Sequence, residues 1–195
     1  MARKPGERKT QILQTLASML EQPQSEKITT AALAARVGVS EAALYRHFAS
    51  KAQMFDALIE FIEESVFTLV NQITQAERDG RAQVQQIVTM LLGFAEKNPG
   101  MVRVLTGDAL VHEDGRLQLR INQLLDRIEA SLKQSLQVSA VPGGTATATS
   151  NASLAAAHAN ALTAFVIGRW QLFAKSGFKR SPNEHWSQQA ALLRL

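Results

Sequence analysis

Residues 28–51 read ITTAALAARVGVSEAALYRHFASK. Two short apolar runs flank Gly38, and each opens on hydroxyl side chains: Thr29 and Thr30 before the first, Ser40 before the second. A hydroxyl at the residue before a helix accepts one of the backbone N–H groups that the first turn leaves without an intrahelical partner. The signals predict one short helix through Arg36 and another from Ser40 to about His47. Gly38 between them takes the positive φ that a sharp helix-to-helix turn commonly demands. Ala31, Leu33, Ala34, Val37, Val39 and Leu44 supply a small shared core, and Ala34 and Ala42 let the helices approach closely. This pattern is a helix-turn-helix, whose second helix lies in the DNA major groove with its N-terminal end nearest the bases.

Charge supports the same reading. The chain has 195 residues and a formal net charge of +4. Residues 1–51 hold eight basic side chains (Arg3, Lys4, Arg8, Lys9, Lys27, Arg36, Arg46, Lys51) against four acidic ones, while residues 52–195 hold thirteen of each. The whole excess therefore belongs to the segment with the helix-turn-helix. A basic head on a neutral body suits a polyanion partner, although a solubilising tail has the same charge. Arg3, Lys4, Arg8 and Lys9 are expected to form a loose arm near DNA or a disordered basic tail.

Outward from this stretch, apolar spacing is helical almost throughout. Ile12, Leu13, Leu16, Ala17 and Leu20 mark a first helix, closed by Pro23. Phe55, Leu58, Ile59, Ile62, Val66, Leu69, Val70 and Ile73 form a stripe that predicts one amphipathic helix over about 51–76. Val84, Ile87, Val88, Leu91 and Leu92 mark another, stopped by Asn98-Pro99-Gly100. A short helix to about Thr106 and a long one over roughly 113–137 follow. The uncharged run VSAVPGGTATATSN at 138–151 reads as a flexible linker. An Ala-rich helix is expected over about 152–175, and a last one over about 184–194. Convincing alternating strands are absent, so the fold class is all-α: a helix-turn-helix domain over 1–51 and a helical regulatory and dimerisation domain over 52–195.

Composition excludes several classes. With 46% hydrophobic residues the chain is expected to bury a real core, and with no Cys it has no disulfide, zinc finger, iron–sulfur cluster or thiol nucleophile. No run approaches the roughly 18 apolar residues of a membrane span. The basic start MARKPGERKT is not followed by the apolar core of a secretory signal. His112, His158 and His185 form no close ligand pair, so no metal and no cofactor are expected. No GxSxG elbow or phosphate-binding glycine loop appears, which argues against an enzyme.

The ending LYRHFASK, with an aromatic, a basic pair and a lysine opening the next helix, closely resembles the recognition-helix ending of the TetR family. The blocks LLGFAEKNPG, VLTGDAL and GRLQLRINQLLDRIEASL lie outside the DNA-binding domain and resemble the family's nucleoid occlusion branch. Candidate DNA contacts follow residue by residue. Thr29 and Thr30 at a helix start suit a phosphate, and as plainly suit capping. Ser40 caps or touches phosphate. Glu41 accepts from cytosine N4 or merely favours the helix dipole. Ala43 meets a thymine methyl. Tyr45 offers its hydroxyl to phosphate while its ring packs at the helix end. Arg46, His47 and Lys51 pair with phosphates or base edges, whereas Phe48 is expected in the core.

The resemblance also implies partners. Nucleoid occlusion factors bind the tubulin-like division protein FtsZ while on palindromic chromosomal DNA, through the long fourth helix and the fifth. The matching positions here are Phe61, Leu69, Met90, Gly93, Lys97 and Asn98. Two depart from the pattern: the family has a basic residue where this chain has Leu69, and commonly arginine at Lys97. Lys97 keeps the charge without the planar fork. Proteins of this family are typically homodimers through their last helices, which points to Ala155, Ala156, Ala157, Ala161, Phe165 and Trp170 as dimer contacts. The expected localisation is cytoplasmic and nucleoid-associated. The alternative is a TetR-type repressor released from its operator by a small molecule, which needs an apolar pocket among the C-terminal helices. Such a ligand is not the expectation.

Overall fold

The computed structural model describes residues 5–22, 28–138 and 148–193. Among them are nine α-helices, one short 3-10 turn and no strand. The helices are α1 (Pro5–Leu20), α2 (Thr30–Val37), α3 (Glu41–Tyr45), α4 (Lys51–Ala76), α5 (Gly80–Lys97), α6 (Pro99–Leu105), α7 (Gly115–Val138), α8 (Ala148–Lys175) and α9 (Trp186–Leu192), and the 3-10 turn spans Asp108–Leu110.

The long stripe gives α4 both its predicted ends. Helix α3 is shorter than expected: His47 N–H bonds back three residues to Leu44 (3.0 Å), so the last turn tightens and the α-helix stops at Tyr45. The linker reading over 138–151 needs correction at its far end. Helix α8 begins at Ala148, so residues 148–151 are its first turn. Thr, Ser and Asn suit a helix start as well as a loop, and composition alone does not separate the two. Residues 139–147 and Pro23 lie outside the described residues. Arg8 and Lys9 are also not a loose arm. Both lie within α1, where Arg8 donates to Gln11 (2.9 Å) and the Lys9 ammonium sits 5.7 Å from the centre of the Phe48 ring.

The chain divides into two compact units. The first takes residues 1–62 and 98–121, hence α1–α3, the head of α4, α6, the 3-10 turn and the head of α7. Its interior is built from Ile12, Leu16, Leu33, Leu44, Met54 and Leu58, all almost fully buried. Phe48 is buried among the apolar core as expected. Gly100, in the first turn of α6, lies so near α1 that a Cβ there would sit 1.9 Å from the Ala17 carbonyl oxygen. Any side chain at 100 would push α6 off α1.

The second unit takes residues 63–97 and 122–195. Its core holds Val88, Leu91, Leu124, Ile128, Leu162 and Trp170. The buried Trp170 indole donates to the Leu91 carbonyl (3.2 Å), and the Trp186 indole to the Thr89 hydroxyl (2.7 Å), so both polar tips are satisfied. Arg169 is only 7% exposed and donates to the carbonyls of Ser181 (3.0 Å), Pro182 (2.8 Å) and Glu184 (2.7 Å). Burial, and then nearby Arg180, push its pKa down against the opposing pull of Glu184. The turn it gathers also reaches α5, where Glu96 accepts from Asn183 (2.9 Å) and from the Ser181 hydroxyl.

Candidate nucleic-acid interface

Local chemistry fixes the two short helices. Thr29 is extended and its hydroxyl accepts from Ala32 N–H (3.1 Å), capping α2. Gly38 ends α2 at φ +77°, and the N–H groups around it return to Ala34 and Ala35. Ser40 is extended and its hydroxyl accepts from Ala43 N–H (3.2 Å), capping α3. Helices of eight and five residues are too short to stand alone, so caps and the buried Leu33 and Leu44 hold them.

A polar chain crosses from one helix to the other. The Tyr45 hydroxyl donates to Thr30 Oγ1 (3.4 Å), and Thr30 donates to the Glu41 carboxylate (2.9 Å). Sequence patterns leave these three residues unconnected, because no spacing rule links positions 11 and 15 residues apart across a turn. The chain holds Glu41 beside Thr30 and fixes where Tyr45 points. Thr29, Ser40, Glu41, Tyr45 and Arg46 are exposed, and Thr30, Ala43 and His47 are half-buried. Ala43 lines a hollow of about 320 Å³ with Arg8, Ile12, Val39, Arg46 and His47, so α1 contributes a cation beside the recognition helix. Lys51, the first residue of α4, sends its ammonium to Glu113 (2.5 Å) and lies 5.6 Å from the centre of the Phe55 ring.

The remaining site residues sit on later helices. On α4, Phe61 is 45% exposed and Leu69 38% exposed, large apolar groups left facing solvent. Along α5, Met90 and Gly93 are half-buried and Lys97 is exposed; Asn98, half-buried, precedes α6. Gly93 is in a helix interior, where glycine costs roughly 1 kcal/mol against alanine. Among the described residues a Cβ there would meet nothing within 4 Å. Packing among the described residues therefore does not call for the glycine.

Helix α8 corrects two of the expected dimer contacts. Ala155 (8% exposed) and Trp170 (1%) face the interior of their own unit, and Phe165 packs on Trp186 with ring centres 5.6 Å apart. Six of its exposed positions, Leu154, Ala157, Ala161, Ala164, Gly168 and Leu172, recur at spacings of three and four. Ala157 and Ala161 are shared with the expectation. Among the described residues Gly168 likewise has nothing within 4 Å of an added Cβ.

Residues 12–58 match the bacterial regulatory proteins of the tetR family, and residues 78–195 match the SlmA-like group, described as a tetracyclin repressor-like C-terminal domain. The chain belongs to the TetR family. It is 51% identical over 193 residues to the nucleoid occlusion factor SlmA of Marinomonas sp. (strain MWYL1), covering 99% of this chain and 96% of that protein. It is 50% identical over 187 residues to the nucleoid occlusion factor SlmA of Escherichia coli O1:K1 / APEC, covering 95% of this chain and 92% of that protein. A TetR-like transcriptional regulator from Rhodococcus sp. RHA1 has the same fold, with a TM-score of 0.71, 18% identity, and 97% of this chain and 96% of that one covered. The all-helical fold is thus that of TetR regulators, which bind DNA and dimerise. Among the described residues no helix is long and apolar enough to cross a membrane.

Proposed function

We propose that this protein is a nucleoid occlusion factor: a homodimer that binds palindromic double-stranded chromosomal sites and, when on DNA, binds FtsZ and opposes division-ring assembly over the nucleoid. The observation that carries this reading is the extent of the likeness to SlmA proteins. About half the positions are identical over nearly the full length, through α5 and α7, and the likeness does not stop at the helix-turn-helix. On this reading residues 1–51 form the DNA-binding domain and 52–195 the regulatory and dimerisation body, and the protein is nucleoid-associated in the cytoplasm.

At the DNA, α3 enters the major groove. Thr29, Thr30, Ser40, Tyr45, Arg46, His47 and Lys51 position the protein on phosphates, and Glu41 and Ala43 face base edges. The exposed small residues of α8 let two copies of the helix approach closely, which accounts for Gly168. The FtsZ contact uses Phe61, Leu69, Met90, Gly93, Lys97 and Asn98. Its support is the exposure of Phe61 and Leu69 and the open space over Gly93.

Genome-wide mapping of bound sites tests the proposal. Many dispersed sites away from promoters are expected. Binding confined to one or two promoters would show a local repressor instead.

A further inference from the structure

Within the first unit one ion pair joins the head of α4 to the head of α7, and a second joins it to the bend just before α7. Arg120 donates to the Asp56 carboxylate and to the Asp56 carbonyl (3.1 Å). Lys51 donates to Glu113. The second pair is the more shielded, with side-chain exposures of 21% for Lys51 and 11% for Glu113. Lys51 is also six residues beyond Tyr45 and opens the helix that follows the recognition helix. Its ammonium carries three donors and no acceptor, and it meets a carboxylate or a phosphate in the same way, as a point charge. Its single positive charge cannot neutralise both at once.

We propose that Glu113 is an internal competitor of DNA phosphate for Lys51, and so a positioning residue that sets the affinity and salt dependence of DNA binding. The proposal rests on the DNA-binding reading above. In the free protein Glu113 holds the ammonium beside the Phe55 ring. When DNA docks, Lys51 turns to a phosphate, and a carboxylate that is only 11% exposed is stripped of its cation next to a polyanion. That separation opposes binding. Because the pair is partly buried, salt weakens it less than it weakens phosphate contacts. The Arg120–Asp56 pair stays closed, so the exchange needs only a side-chain rotation and leaves the α4–α7 joint in place. Counterion release gives the idea a signature. A lysine already neutralised by Glu113 contributes little net ion release on meeting phosphate, whereas one freed of Glu113 contributes about 0.9 to the slope of log K against log salt.

The test is fluorescence anisotropy on a bound genomic fragment, from about 50 to 200 mM salt, using the full-length protein and the variants Glu113→Gln, Glu113→Asp, Lys51→Gln and Glu113→Gln/Lys51→Gln. Glu113→Gln is expected to tighten binding roughly 3–10-fold at the lowest salt and to steepen the slope by about 1.8 per dimer. In the Lys51→Gln background the same change is expected to do nothing. Glu113→Asp, one methylene shorter, is expected to tighten binding less and in the same direction, which keeps the idea testable if Glu113→Gln folds poorly by circular dichroism. Unchanged or weaker binding at an unchanged slope overturns the proposal, as does a Glu113→Gln effect that persists without Lys51. If Tyr45→Ala and Arg46→Ala weaken binding while the Glu113 variants do nothing, only the competition fails. If all of them leave binding unchanged, the DNA interface itself is wrongly placed.

Discussion

The α2–α3 region and α8 reach their surfaces by opposite means. The first consists of two helices of eight and five residues, held by a Thr29 cap, a left-handed Gly38, a Ser40 cap and two buried leucines. Its exposed face is polar, individually placed and cross-linked by the Tyr45–Thr30–Glu41 chain. Helix α8 runs for 28 residues. Its exposed face is a run of small side chains framed by Leu154 and Leu172. One face suits recognition of a polar, charged partner at fixed points. The other suits a helix of the same kind, approached closely along its length.

Breaking the α8 face gives the largest expected effect. Ala161→Arg places a charge at the centre of the small-residue stripe, where an unpaired buried charge costs several kcal/mol, roughly 100-fold or more in association. Light scattering is expected to show monomers that retain helical circular dichroism, with DNA affinity falling in parallel. A persistent dimer would remove α8 from the interface. Next comes the core beneath the other face. Leu44→Ala empties a fully buried site and is expected to cost about 2–5 kcal/mol, read as a lower denaturation midpoint.

The reading surface itself responds more gently. Arg46→Ala is expected to weaken binding to all sites alike and to flatten the salt slope by about 0.9 for each phosphate that the guanidinium neutralises. An effect confined to one sequence would make Arg46 a base reader. Thr29→Ala and Ser40→Ala each remove a cap worth about 1 kcal/mol, and thermal melts of the two are expected to fall by similar amounts.

The smallest effect concerns Asp114, just ahead of α7. Its carboxylate accepts from the Arg116 side chain and backbone N–H, and the side-chain bond first holds its pKa down at about 2 from 3.8. A lowered folded-state pKa adds stability that is present above the unfolded value and is lost as pH falls through the folded one. The melting difference between wild type and Asp114→Asn is therefore expected to hold above about pH 4 and vanish towards pH 2. A constant difference would contradict this assignment.

The same contrast explains what could be read from the chain. The α2–α3 region was legible because caps, the turn glycine and the buried leucines act over a few residues. The stripe of α4 was legible because bulky and polar positions alternate at helical spacing along it. Helix α8 offers no such contrast: alanine serves equally well inside and outside, so nothing in its spacing marks Ala155 as an inward position. The Lys51–Glu113 pair and the Gly100–Ala17 approach were invisible for another reason. Each joins residues far apart in sequence, and neither residue type announces its partner.

On the proposed function, DNA binding and FtsZ binding belong to one protein and are linked. Sedimentation of FtsZ polymers with this protein, with and without a genomic fragment it binds, tests this most directly. The DNA-loaded protein is expected to bind FtsZ and to lower the pelleted polymer, with a clearly smaller effect without DNA. Pellets that hold the same amount of FtsZ and none of this protein, with DNA present, would contradict it.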